Sequence, residues 1–186
     1  MSTYFVMDCR GHAPVARVTF SSDIEDVPWM TGAQVRNPDQ VLLYNIHSKR
    51  RGNLKAMYKL DAPLIRVDLL QVLIDAGVDN LQLFEAVVRD TASGEEHKNY
   101  RAFNVVGVIS AADMSESSVM HDGSLTGLDH DFANLVLDEQ RIPSKLLLFR
   151  LAESVNAIIV HEKIKKTIEA QGIEGMVFYG SGEWSG

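Results

Sequence analysis

The sequence predicts an α+β fold in which a mostly antiparallel sheet carries two to three helices, within a single domain spanning residues 1–186. Three observations lead to this prediction. Strand-like apolar runs occur in groups, helical periodicity appears at a few irregularly spaced places, and no succession of βαβ units is visible. We find no internal repeat or linker that would divide the chain, and 46% hydrophobic with 23% charged residues is typical of a globular domain.

The N-terminal part is predicted to consist of strands joined by loops. Residues 3–8 and 15–20 have the composition of strands and flank a turn at Arg10-Gly11-His12. Residues 21–40 are polar and contain several Gly and Pro residues, which indicates an irregular loop. Residues 40–47 again have the composition of a strand.

The first predicted helix covers residues 61–77. Asp61 can cap its N-terminus, Pro63 is tolerated in the first turn, and Gly77 follows the last turn. Its apolar face consists of Ile65, Leu69, Val72, Leu73 and Ala76.

The remaining elements follow in order. Residues 81–90 and 100–110 are strand-like and flank a polar tip, which predicts a hairpin with a long loop. Residues 132–139 and 145–153 are short apolar runs that periodicity assigns to neither strand nor helix.

The C-terminal part is predicted to be a strand, a helix and a strand. Residues 157–160 lead into a helix in which Ile164 and Ile168 face inward and which ends at Gly172. Residues 176–180 are the last predicted strand.

The overall charge restricts the class of partner. The net charge is −7 and the pI is near 5.3, which argues against nucleic acid because a phosphate backbone would be repelled. The acidity is compatible with plain solubility or with attraction of a basic protein partner. The single basic cluster, residues 48–55, indicates a surface loop, with the lining of a ligand pocket as the alternative.

Cysteine content and hydropathy bear on the compartment. The single cysteine, Cys9, cannot form an internal disulfide and is interpreted as a small buried residue on a strand. We see no secretory leader and no apolar run long enough to span a membrane. We therefore expect a cytoplasmic protein without membrane contact.

A dense group of potential ligands occurs in HDGSLTGLDHDF (121–132), which contains His121, Asp122, Asp129, His130 and Asp131. His and Asp at close range are typical of a hydrolytic metal centre. However, the intervening residues are typical of a loop, and the spacing does not fit a calcium-binding loop. The sequence also lacks a phosphate-binding glycine loop, a GxSxG elbow and an HExxH motif. We therefore expect an acidic loop without catalytic role, metal or cofactor.

Two tryptophans lie in polar surroundings that contain Gly or Pro. Trp29 and Trp184 could each expose an indole as a binding anchor, or could fold back to cover the edge of a sheet. The sequence does not decide between these alternatives.

Two long blocks of the sequence resemble a known family. YRAFNVVGVISAADMSESS (100–118) and LVLDEQRIPSKLLLFRLAESVNAIIVHEKIKKTIEAQGIEGMVFY (135–179) are similar to bacterial polymorphic-toxin immunity proteins of the eleventh immunity family, and the similarity is clearest over 63–180. The recurring residues include Tyr100, Phe103, Asn104, Gly107, Asp113, Ser117, the segment Leu148–Leu151, Ile159, Val160 and Gly175. These are packing patterns without a catalytic signature. Asn104 and Asp113 could satisfy backbone groups, and Arg150 could pair with a carboxylate.

The resemblance implies an antidote that binds and neutralises a cognate toxin, such as a type VI secretion effector, without catalysis or cofactor. A basic nuclease would be attracted to the acidic surface. On this hypothesis Trp29, Asp122, Asp129 and Asp131 contact the toxin. The alternatives are a small metal-dependent hydrolase that uses the 121–131 loop, and an effector chaperone or adaptor. The identity of the toxin and the oligomeric state stay open.

Overall fold

The structure, a computed structural model, describes residues 2–22, 28–36, 40–47, 49–121 and 130–186. In these ranges the chain forms two α-helices, α1 (Val67–Asp75) and α2 (Glu162–Ala170), and a 3-10 turn at Glu139–Arg141. The strands are β1 (Tyr4–Cys9), β2 (Val18–Phe20), β3 (Leu42–Ile46), β4 (Met57–Tyr58), β5 (Leu64–Arg66), β6 (Leu81–Asp90), β7 (Glu96–His97), β8 (Tyr100–Val105), β9 (Val108–Ile109), β10 (Ser118–His121), β11 (Asp131–Asn134), β12 (Leu148–Leu151), β13 (Ile158–His161) and β14 (Met176–Tyr179).

Most of the strands belong to two sheets. One sheet has the order β14-β1-β13-β12-β9, and the other has the order β2-β3-β6-β8-β5-β4 with β7 paired to β6. β10 and β11 form a separate two-stranded ribbon. Within the described ranges, all strand pairs are antiparallel except β3 with β6 and β9 with β12. The predicted single-domain α+β fold with a mostly antiparallel arrangement and two helices is therefore confirmed.

Each helix belongs to the same kind of four-stranded unit. α1 connects β5 to β6, both of which pair antiparallel with β8, and β4 pairs beside β5. α2 connects β13 to β14, both of which pair antiparallel with β1, and β12 pairs beside β13. The first unit thus has the strand order β6-β8-β5-β4, and the second has the matching order β14-β1-β13-β12.

The two units also agree in register and in their helix ends. Equivalent cross-strand pairs are Arg66 with Tyr100 and His161 with Tyr4, then Leu81 with Val105 and Met176 with Cys9. Both helices have nine residues, and each is followed by a glycine with a left-handed backbone, Gly77 at φ 101° and Gly172 at φ 64°. The sequence shows no internal repeat, but the structure contains two similar units.

A central hydrophobic core joins both helices to one face of each unit. Leu69 and Leu73 of α1 and Ile164 and Ile168 of α2 are at most 1% exposed within it. The opposite face of each unit carries a second cluster. Tyr58, Leu64 and Tyr100 belong to one such cluster, and Tyr4, Phe149 and Ile159 belong to the other. The inward orientation predicted for Ile164 and Ile168 is confirmed.

The first helix begins later than the sequence predicts. Residues 64–66 form β5 between β4 and β8, and the carbonyl of Pro63 accepts a hydrogen bond from the amide of Phe103 at 2.9 Å. α1 therefore begins at Val67, so Asp61 does not cap it and Ile65 lies on a strand. The predicted end near Gly77 is confirmed.

The other predicted elements are largely found. β3, β6, β13, α2 and β14 lie within or close to the predicted ranges, and β6 and β8 form the expected hairpin. β1 and β2 are strands, but they belong to different sheets. The two ambiguous runs contain β11, the 3-10 turn and β12. Residues 28–36 form neither helix nor strand, as expected.

Across the described part of the chain, no helix is both long and apolar enough to cross a membrane.

Candidate functional site

The ribbon formed by β10 and β11, which we call the hairpin arm, contains His121 and Asp131 from the acidic stretch singled out in the sequence, whereas residues 122–129 lie outside the described residues. Val119 lies opposite Phe132, and His121 lies opposite Asp131, with irregular register between them. Phe132 is fully buried and fixes β11 to the core. Its amide and carbonyl both bond to the backbone of Gly186, at 2.7 and 3.0 Å. The C-terminal segment therefore lies along β11, and among the described strands β10 pairs with β11 alone.

The hairpin arm presents apolar side chains to solvent. Val119 is 37% exposed and Met120 is 56% exposed, and Met114, in the turn before β10, is 44% exposed. Two exposed carboxylates are near these side chains. Glu116 is close to them in the sequence, and Asp131 lies on the paired strand β11. Methionine side chains adapt to varied partner surfaces. Apolar side chains next to carboxylates resemble the centre and rim of a protein-binding surface.

The turn before the hairpin arm is held in place by Asp113. One carboxylate oxygen accepts hydrogen bonds from the amide and hydroxyl of Ser115, at 3.0 and 2.6 Å, and from the amide of Glu116. These bonds, the one from the Ser115 hydroxyl above all, hold the pKa of Asp113 below its ordinary value. Ser117 bonds to both backbone groups of Val136, so the turn is anchored to the fold. Asp113 satisfies backbone groups, as the sequence suggested.

The predicted toxin-binding residues have different locations. Asp131 is exposed on β11, whereas Asp122 and Asp129 lie outside the described residues. The indole of Trp29 is 4% exposed and packs edge-on against Phe84, with 5.0 Å between ring centroids. The interpretation of Trp29 as an exposed anchor is therefore wrong, because the ring covers the sheet in the core beside Phe84. Trp184 is buried in the same way, at 4% exposure.

The residues of the alternative hydrolase are partly described. The amide of His130 donates to the carbonyl of Glu153 at 2.7 Å, and its ring lies against Phe132 with 6.0 Å between centroids. Among the described residues, no group of three or more His, Cys, Asp or Glu side chains could hold a metal ion. The alternative hydrolase would use His121, Asp129, His130 and Asp131, of which Asp129 lies outside the described residues.

Two other residues singled out in the sequence are buried. Cys9 is 2% exposed on β1, as predicted. Arg150 is 1% exposed on β12, and its Nη1 donates to the carbonyl of Val155. No described carboxylate forms an ion pair with Arg150, so the suggested pairing is not found. Burial lowers the pKa of Arg150 to about 10.

A second surface feature is a basic cavity of about 470 Å³ beside β1 and β4. It is lined by Asp8, Val15, Ala16, Arg17, Val18, Arg50, Lys55, Tyr58, Lys59 and Leu60. Two of these residues come from the basic cluster 48–55, for which a pocket lining was the alternative interpretation. Arg17 and Lys59 lie outside the cluster, and no local pattern in the sequence groups them with it.

Lys59 is a half-buried cation of this cavity. Its Nζ lies 3.5 Å from Oδ1 of Asp8 and 5.9 Å from the ring centroid of Trp184. Burial lowers the pKa of Lys59, and the neighbouring Asp8 carboxylate partly offsets this effect. The side chain is thus fixed by an anion on one side and an aromatic face on the other.

No protein-family model matches the chain, and no curated protein sequence matches it.

Proposed function

We propose that this protein is a cytoplasmic immunity protein, which binds a cognate bacterial toxin and neutralises it by occluding the toxin's active surface without catalysis. The observation that carries the proposal is the hairpin arm, which exposes Val119 and Met120 beside Asp131. The resemblance suggested by the sequence of residues 63–180 gives the biological direction of the proposal, although no family model matches the chain.

The physical argument begins with the apolar side chains. A solvent-exposed Met on a ribbon gains little in the free protein, but it can supply buried area when a partner covers it. The hairpin arm is fixed at its base by Phe132 and by the bonds to Gly186. Little ordering of its backbone is therefore needed on binding, which favours affinity.

The charge argument concerns the rate of binding. The chain has a net charge of −7, and Glu116 and Asp131 are exposed close to the apolar side chains. A basic toxin, such as a nuclease with a phosphate-binding surface, would be attracted over a distance of about 10 Å at moderate salt. We propose that Asp122 and Asp129 add to this attraction.

Co-expression with the toxin domain encoded by the adjacent gene tests the proposed function as a whole. We expect cells that contain both proteins to grow, the two proteins to co-purify, and the toxin to be inactive in the complex. A stable complex in which the toxin stays active would instead favour an effector chaperone, and absence of both rescue and complex would refute the proposal.

Substitution of Met120 tests the surface. Met120→Asp should increase the dissociation rate of the complex at least about tenfold, because it puts a charge at the proposed apolar centre. Ile74→Asp is a matched control, since Ile74 is 44% exposed on α1, outside the hairpin arm. Equal effects of the two substitutions on the dissociation rate would show that the hairpin arm is not part of the interface.

Charge reversal tests the attraction separately. Replacing Asp122, Asp129 and Asp131 together by Lys should slow association and reduce its dependence on salt. Stopped-flow measurements between low and high ionic strength would check this. An unchanged association rate would show that these carboxylates do not steer the toxin.

A further inference from the structure

The basic cavity lies at the junction of the two four-stranded units. Asp8 comes from β1 of the second unit, and Tyr58 comes from β4 of the first. Residues 15–18 and Arg50 also line the cavity, and we call them its outer wall. The volume of about 470 Å³ lies within the range of small-molecule sites, which is roughly 300–1,000 Å³.

Cations outnumber anions in this cavity. Its lining contains four basic side chains, Arg17, Arg50, Lys55 and Lys59, and one carboxylate, Asp8. Asp8 is within ion-pair distance of Lys59, so its charge is already engaged. Within the described ranges, neither Arg17 nor Arg50 forms an ion pair or a side-chain hydrogen bond. Two guanidinium groups thus lie at the cavity without an anionic partner among the residues that the structure describes.

The ammonium group of Lys55 is held at the inner side of the cavity. Its Nζ donates to the carbonyl of Cys9 at 2.8 Å and lies 5.1 Å from the ring centroid of Tyr58. An ammonium group has three donors, so one backbone acceptor leaves donors for a ligand. The half-buried position reduces the screening of this charge by water.

The outer wall is fixed by backbone bonds. The amide of Arg17 donates to the carbonyl of Arg50 at 2.9 Å, and the amide of Asn53 donates to the carbonyl of Pro14 at 2.7 Å. Next to these bonds, Arg51 forms an ion pair with the buried Asp90 at the end of β6. Arg17 and Arg50 are therefore carried on neighbouring segments whose backbone positions are set before a ligand arrives.

The approach of the two segments depends on a glycine. A Cβ atom on Gly52 would lie 2.2 Å from the carbonyl oxygen of Pro14, which no side chain can accommodate. The segment that carries Arg50 therefore packs against residues 14–17 as closely as backbone allows.

We propose that this cavity binds a phosphorylated small molecule with two to three negative charges. Guanidinium groups bind phosphate oxygens with paired donors, and ammonium groups add point charges. Val15, Val18 and Leu60 line the same cavity and offer apolar surface to the organic part of such a ligand. A long polyanion is disfavoured, because the net charge of −7 repels it outside the cavity. The proposal does not depend on toxin binding and is tested without a toxin.

Calorimetric titration of the full chain with pyrophosphate tests the site. The wild-type protein should bind pyrophosphate, and Arg17→Gln with Arg50→Gln should weaken binding about tenfold or more. The matched control is Arg36→Gln with Arg141→Gln, which removes the same charge from exposed positions that do not line the cavity. The control should bind as the wild type does.

Four further measurements decide the outcome. Thermal unfolding of both double variants checks that they fold, and Gly52→Ala, which keeps every charge but disturbs the wall, should also weaken binding. Citrate should bind more weakly than pyrophosphate, since its carboxylates do not match a phosphate site. The proposal is overturned if pyrophosphate does not bind, if the control weakens as much as the cavity variant, or if citrate or a single-stranded oligonucleotide binds more tightly.

Discussion

Gly175 and Gly172 show how neighbouring glycines can have different roles. Both have a left-handed backbone, at φ 77° and 64°. The carbonyl of Gly175 accepts a hydrogen bond from the amide of Arg10 at 2.9 Å, and a Cβ on Gly175 would lie 2.6 Å from Cα of Gly11. At Gly172 no atom lies within 4 Å of such a Cβ. Gly175 is therefore required for close packing as well as for its backbone angle.

We expect Gly172→Ala to lower the free energy of unfolding by about 1 kcal/mol, from backbone strain alone. Gly175→Ala should lower it by about 2 kcal/mol more than that. Urea denaturation followed by circular dichroism measures both. Equal losses would show that the contact with Gly11 relaxes easily.

Arg150 is a second residue whose role depends on its surroundings. Nε and Nη2 have no hydrogen-bond partner among the described residues, although the side chain is 1% exposed. A buried guanidinium with one carbonyl partner contributes little stability relative to an apolar side chain of similar size.

We expect the free energy of unfolding of Arg150→Met to equal or exceed that of the wild type, or to fall below it by no more than about 1 kcal/mol. Arg150→Ala should lose about 2 kcal/mol or more, since it leaves a cavity. If both variants are destabilised equally in chemical denaturation, the charge itself is needed for folding.

The limits of sequence reasoning are visible at the residue scale. Cys9 was predicted correctly, because a small apolar residue in a strand pattern is usually buried. Trp29 was not, because its irregular segment has no periodicity that reveals which way a ring points. The cavity residues Arg17 and Lys59 were missed because only the fold brings them together.

At the scale of elements, the 3-10 turn and the beginning of β1 are joined by Glu139. Its carboxylate accepts hydrogen bonds from the hydroxyl of Ser2 at 2.8 Å and from the amides of Thr3 and Tyr4 at 2.9 and 3.4 Å. Burial acts to raise the pKa of Glu139, but these donors outweigh it and the pKa is lowered.

This lowered pKa predicts a pH dependence of stability. A carboxyl group whose pKa is lower in the folded state stabilises the fold above its ordinary pKa, and the contribution is lost as pH falls through the folded value. We expect the stability difference between wild type and Glu139→Gln to shrink as pH falls below about 4.5, the ordinary value for Glu. Denaturation series between pH 3 and 7 check this, and a constant difference would contradict it.

Helix and strand boundaries follow the same reasoning. α2 was predicted well, because its charged face and its two inward isoleucines are unambiguous. The start of α1 was misplaced because Leu64 and Ile65 suit a helical face and a doubly buried strand equally well. Pairing with β4 and β8 favours the strand. Of these partners, β8 is distant in the sequence and β4 is too short to recognise from the sequence.

At the scale of the whole molecule, the two units meet through their helices. α1 and α2 contact each other, and Leu73 and Ile168 occupy equivalent positions in the central core. The repeat escapes sequence reasoning because equivalent positions share hydrophobic character more than identity. Gly77 and Gly172 are identical, whereas Leu73 corresponds to an isoleucine.

Because Leu73 and Ile168 are equivalent, we expect them to contribute equally to the free energy of unfolding. Leu73→Ala and Ile168→Ala should each lower the free energy of unfolding by about 2–5 kcal/mol, and by similar amounts. Exposed Ile74→Ala is the control and should cost far less. A large difference between the two core substitutions in urea denaturation would show that one unit dominates the stability of the fold.

The position of β1 relates the connections of the two units to each other. In the first unit the central strand, β8, comes after the helix and its strands, whereas in the second unit β1 precedes them. Suppose that the chain were closed into a ring, so that β1 followed β14. Both units would then run strand, strand, helix, strand, strand, as β4-β5-α1-β6-β8 and β12-β13-α2-β14-β1. The second unit is therefore a circular permutation of the first in its order of elements, with β1 in the place that β8 has in the first unit.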